Sequence, residues 1–99
     1  MSTQTTVTQL INDRGNPVAN HFVIYKDGDI YLQSYNSIVA KIETPFKTVI
    51  LGRDWNYSRT TSRHLKKFLG DALGFTSSTV GLRKAIKDGN IVVDNNLAI

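Results

Sequence analysis

Ninety-nine residues, 40% hydrophobic and 20% charged, suffice for one domain with a modest core and are too apolar for a disordered chain. Cysteine is absent, which excludes a disulfide framework and thiolate metal sites and suits a reducing cytoplasm. The first residues, Met1 to Thr6, are polar and uncharged, unlike a signal peptide, and no apolar run approaches the ~20 residues of a membrane helix. The sequence thus predicts a soluble protein without a membrane partner.

The net charge of +4 is unevenly placed. Residues 1–52 balance four basic against four acidic side chains, whereas residues 53–99 carry eight basic against four acidic. That asymmetry suits a polyanionic partner, and it equally suits a solvated basic helix face.

Residues 1–19 are weakly patterned: Thr8-Gln9-Leu10-Ile11 suits a short strand or a helical turn, ended by Asp13-Arg14-Gly15-Asn16-Pro17, which is turn chemistry. Residues 20–52 read as a β-meander. His21–Lys26 and Asp29–Tyr35 are aromatic and β-branched runs flanking Asp27-Gly28, a two-residue link suited to a type I′ hairpin. In that register Lys26 faces Asp29 as a charge pair, Ile24 faces Tyr31 and Phe22 faces Gln33, while Tyr25–Ile30 and Val23–Leu32 lie on the other face. Apolar groups on both faces call for cover by helices or a loop, and they suit pairing with a second copy as a homodimer. Ile38–Glu43 and Lys47–Leu51 read as two further strands, separated by Thr44-Pro45.

From Tyr57 the period lengthens to that of a helix, and 57–88 reads as a helical hairpin. Thr61, Leu65, Phe68, Leu69 and Ala72 form a stripe for packing on the sheet, with Arg63 and Lys67 opposite and His64 and Lys66 flanking. Thr60 or Thr61 is the expected N-cap and Gly74 the expected end. Thr76 to Thr79 offer the next cap, Leu82, Ala85 and Ile86 the second stripe, and Gly89 its close. Ile91-Val92-Val93 reads as a short last strand. The predicted fold is α+β: an antiparallel sheet of about four strands with two C-terminal helices packed on it.

Enzyme signatures are missing. The sequence holds no phosphate-binding glycine loop, serine elbow or nucleophilic cysteine, and no pair of acids stands out as acid and base. His21 and His64 lie on different elements without a metal-ligand spacing. No catalytic residue, metal or cofactor is therefore expected. The densest polar run, Tyr57 to His64, opens a predicted helix, where free N–H groups and the macrodipole favour anions. A phosphate could be held there by Arg59, Thr60, Ser62 and Arg63; alternatively the hydroxyls cap the helix while Tyr57 packs beneath it. Leu69 to Val80 resembles the turn of helix-turn-helix DNA-binding proteins at Leu73, Gly74 and Val80, but Arg83 stands where that pattern wants an apolar residue. On that reading Ser77, Ser78, Thr79, Arg83, Lys84 and Lys87 face a DNA groove; an αα-hairpin is the simpler alternative. Tyr25, Tyr31 and Trp55 could stack bases or serve as core.

Three stretches carry a family resemblance: Ala19–Ile24, Gln33–Lys41 and Trp55–Leu69, within roughly residues 17–69. They resemble a family of short proteins from phages and prophages of low-GC Gram-positive bacteria. The resemblance implies a phage origin and the host-cell cytoplasm as place of action. The expected function is a non-enzymatic phage accessory protein that binds DNA, RNA or a host nucleoprotein complex. The surface expected to bind comprises Arg59, Thr60, Ser62, Arg63, Lys66, Lys67, Arg83, Lys84 and Lys87. The competing expectation is an inhibitor of anti-CRISPR type that binds a host defence protein directly. Since DNA mimics are strongly acidic and this chain is basic, such an inhibitor would grip protein or guide RNA.

Overall fold

The computed structural model describes residues 5–12, 14–74 and 78–98. The order of elements is β1 (Thr5–Ile11), β2 (Pro17–Lys26), β3 (Asp29–Ser34), β4 (Ser37–Glu43), β5 (Thr48–Gly52), α1 (Arg59–Leu73), α2 (Thr79–Lys87) and β6 (Val92–Asp94). All six strands form one sheet in chain order; β1 to β5 are antiparallel, and β6 returns after the helices to lie parallel to β5.

The α+β class stands, and the sheet of about four antiparallel strands is corrected to a mixed sheet of six. The added first strand lies in the weakly patterned segment. In Thr5–Ile11 only Leu10 is buried, so no alternation of apolar and polar residues marks it. Its β-branched residues suit an edge strand with little core contact. The turn after it is tied by Asn12, whose Oδ1 accepts the backbone N–H groups of Arg14 and Asn16 at 2.9 and 3.0 Å.

The β2–β3 hairpin has the predicted register, with Ile24 opposite Tyr31 and Lys26 opposite Asp29. Asp27 and Gly28 have φ of 55° and 86°, as a type I′ turn requires. The carboxylate of Asp29, however, engages Lys41 at 3.7 Å and the Thr44 N–H at 3.1 Å, so the expected pair with Lys26 is replaced by a link to β4. Lys41 also lies 5.4 Å from the Tyr31 ring centroid and 3.2 Å from Glu43. Ile24 and Tyr31 are buried on this face, in a cross-strand row between Val7 and Lys41.

The main core lies between the other face and α1. Leu32, Ala40 and Leu51 form a cross-strand row on that face, joined by Ile42 and Val49. Leu65, Phe68 and Leu69 of α1, Leu82 of α2 and Trp55 close over it. The predicted stripe holds at Leu65, Phe68 and Leu69, while Ser62 takes the buried place expected for Thr61. Ser58 is the N-cap, two residues before Thr60: its Oγ accepts the Thr61 N–H at 3.1 Å. Gly74 ends α1 as predicted, at φ 82°.

Gly52 is the tightest point of the sheet. A Cβ there would collide with the backbone carbonyl oxygen of Ile38, which cannot swing aside as a side chain would. Gly52→Ala is expected to destabilise the fold by about 2 kcal/mol or more, read as a lowered urea midpoint at unchanged slope.

Candidate binding clefts on helix α1

The first turns of α1 separate two clefts. One, of about 850 Å3, is lined by Arg59, Ser62, Arg63, Lys66 and Lys67, with His64 and, among the described residues, a single carboxylate, Asp71. Five of the nine residues expected to bind are thus brought together. Arg59 and Arg63 are exposed, and Lys67 is paired with Asp71 at 3.0 Å. The hydroxyl of Ser62 is turned inward, 3.2 Å from that of Thr79, and the residue is 5% exposed.

The other four stand apart. Thr60 lines the second cleft. The Arg83 guanidinium lies 5.8 Å from the centroid of the Trp55 ring. Lys84 and Lys87 are exposed in the last turn of α2, where cations favourably meet the helix dipole. A phosphate held jointly by Arg59, Thr60, Ser62 and Arg63 is therefore not what the geometry offers, because consecutive residues of the turn face different clefts.

The helix-turn-helix pattern fails at Val80, which is 76% exposed instead of buried between helices. Ser78 caps α2 through the Gly81 N–H at 3.1 Å, and Thr79 is occupied with Ser62. Ser77 lies outside the described residues. The helices form a hairpin whose second helix starts beside the first half of α1. Of the expected stacking platform, Tyr31 and Trp55 are buried core and Tyr25 is half exposed.

The second cleft, of about 430 Å3, was not foreseen from the sequence. The three stretches that carry the family resemblance meet in it and supply every lining residue except Asp54. No lysine or arginine lines it. Its walls include Tyr35 and Tyr57, which are 63% and 80% exposed, so Tyr57 does not pack beneath the helix. Behind Tyr35 stands His21, only 3% exposed, with its ring edge-on at 5.7 Å.

His21 is held by three contacts. Its Nδ1 lies 2.8 Å from the Ala19 carbonyl, which can only accept, so Nδ1 carries the proton in the neutral ring. Its Nε2 then presents a lone pair to the Ser34 hydroxyl at 3.0 Å and to His64 Nδ1 at 3.1 Å. The two histidines that the sequence leaves on separate elements are thus in contact across the sheet–helix boundary. A register irregularity in β2 makes this possible, with Asn20 at φ 62° immediately before His21. Tyr35 also has positive φ, 55°. Non-glycine residues held in this region tend to gather at functional sites. Among the described residues, no group of three or more histidines and carboxylates is suited to holding a metal ion.

Comparison with known proteins adds one match. The model of a family of unknown function, DUF8033, matches residues 5–89. The chain belongs to that family. Neither a curated protein nor a solved structure gives a match. The family's span covers both clefts and every strand except β6.

Burial, the neighbouring His21 and the Arg63 guanidinium hold His64 below the usual histidine range. The folded state therefore binds fewer protons than the unfolded chain just below the ordinary histidine pKa of about 6.5. Stability from this group is present above that pH and is lost as pH falls toward the lower folded value. The thermal midpoint should decline between about pH 7 and pH 5.5, and His64→Asn should flatten that decline.

Proposed function

We propose that the protein is a non-enzymatic accessory protein that binds nucleic acid, or a nucleoprotein, through the basic cleft of α1. The observation that carries this reading is the convergence of Arg59, Arg63, Lys66 and Lys67 on one cleft, with Asp71 the one lining carboxylate among the described residues. The energetics of the helix point the same way. α1 has no acidic residue in its first turn and places Arg59 and Arg63 at its positive end, where cations cost a few tenths of a kcal/mol. A bound phosphate would reverse that penalty and add charge-assisted hydrogen bonds from the guanidiniums. Resemblance to short phage proteins supports action in the cytoplasm of an infected host cell.

A second reading, direct inhibition of a host defence protein, is favoured by a different surface. Phe46 is 88% exposed and borders an apolar cleft of about 520 Å3 with Leu73, Leu82 and Ile91. Exposed apolar clefts of this kind suit a protein partner.

Salt separates the two readings. Phosphate contacts release counterions, so affinity for DNA or RNA should fall steeply between about 50 and 200 mM salt, whereas an apolar interface should change little. Arg59→Glu with Arg63→Glu should weaken binding at least tenfold and lower the salt slope by about 2, with the unfolding midpoint unchanged or slightly raised. No binding of any polynucleotide at low salt would rule out the first reading.

A further inference from the structure

The second cleft has a chemistry unlike its neighbour. Without lysine or arginine on its lining, it does not suit a phosphate. Its one carboxylate among the described residues, Asp54, is 3.9 Å from Arg53, an exposed and weak pair. What the cleft does offer is two exposed tyrosine rings and a set of hydroxyls from Ser34, Ser37, Thr60 and Thr61. Such a lining suits a flat, uncharged ring with polar edges.

The Tyr35 ring is also held in place before any ligand arrives. Its backbone sits at φ 55°, its N–H donates to the Asn20 carbonyl at 2.7 Å, and its own carbonyl accepts from Gln33 Nε2 at 2.6 Å. The buried His21 ring stands edge-on to it, fixed in turn by Ala19, Ser34 and His64. A residue whose backbone is held in this way loses less freedom on binding than one on a loose loop. The positive φ would be relieved by glycine, so a tyrosine there keeps its ring at a cost in backbone strain.

The two clefts adjoin within one helical turn. Arg59 and Arg63 line the basic side, while Thr60 and Thr61 line the other. His64 lines the first and touches His21, which lines the second. One ligand can therefore place a phosphate in the basic cleft and an attached neutral ring in the second, which is the composition of a nucleotide.

We infer that the protein takes single-stranded nucleic acid in preference to duplex, holding one unpaired base in the Tyr35–Tyr57 cleft while an adjoining phosphate sits in the basic cleft. The inference rests on the basic-cleft reading above and specifies its ligand. A base within a duplex is stacked on both faces, and extruding it costs a few kcal/mol, whereas a single strand offers it freely. Stacking on tyrosine is tolerant of base identity, so DNA and RNA strands share the required chemistry.

The test is fluorescence anisotropy with four labelled probes at low salt: a 12-nucleotide oligo(dT), an oligo(rU) of equal length, an abasic phosphodiester strand of equal length, and the dT·dA duplex. Oligo(dT), oligo(rU) or both should bind about tenfold more tightly than the abasic strand, and more tightly than the duplex. Tyr35→Gly combined with Tyr57→Ala should bring the base-bearing strands to the abasic level and leave abasic binding unchanged. Both side chains are exposed and glycine relieves the positive φ, so the variant keeps its fold. Equal binding of abasic and base-bearing strands, or preference for the duplex, would overturn the inference and leave the basic cleft standing. Absence of binding to all four probes would remove the basic-cleft reading, and this inference with it.

Discussion

Leu65, Phe68 and Leu69 seat α1 on the row of Leu32, Ala40 and Leu51, and the placement of both clefts follows from that contact. Each of the three helix side chains is nearly or fully buried, which contributes about 1.5–3 kcal/mol apiece relative to exposure. The stripe fixes the helix's rotation as well as its position. With those residues turned inward, Arg59 and Arg63 must look to one side of the helix start, and Ser58, Thr60 and Thr61 to the other. The histidine pair adds an anchor of a different kind. It is polar, local and directional, so it sets the helix start against β2 and β3 more finely than apolar contact could.

Charge and neutrality are divided across this boundary in a way the net charge conceals. The basic excess of the C-terminal half reads as one patch along the sequence, yet it is split four ways in space. The α1 cations gather in a cleft, Arg83 lies over Trp55, Lys84 and Lys87 complement the end of their own helix, and Arg53 is set apart beside Asp54. Only the first group has a shape that can enclose a ligand. The cleft beside it, without lysine or arginine on its lining, comes from residues far apart in sequence, among them His21, Ser34, Tyr35 and Tyr57.

What the sequence discloses follows from the range of the interactions concerned. The Asp27-Gly28 hairpin is local, so turn chemistry and alternation sufficed to give its register. The α1 stripe is local too, and helical periodicity found Leu65, Phe68 and Leu69. β1 was legible only at Thr8–Ile11, and there as either a strand or a helical turn, because an edge strand with one buried side chain has little pattern to read. The parallel pairing of β6 with β5 escaped because it depends on where α1 and α2 deliver the chain. The His21–His64 contact is the clearest case. Neither residue's neighbours announce it, and it exists only because an irregular turn of β2 aims one imidazole at a helix that begins far downstream. The basic cleft was half visible, since spacing put Arg63 and Lys67 on one face and the polar helix start drew in Arg59, but neither could separate Thr60 from them.

The parallel strand also bears on the order in which the chain acquires its structure. β1 to β5 can zip together through neighbouring hairpins, each closing a short loop, whereas β6 can pair with Gly52 and Leu51 only after both helices have crossed the sheet. Until then the outer edge of β5 is an open row of backbone donors and acceptors, the kind of edge on which another strand can add. The last residues to leave the ribosome among the described elements are therefore the ones that close this edge. β6 is only three residues long, and it covers the edge of β5 at Ile50, Leu51 and Gly52.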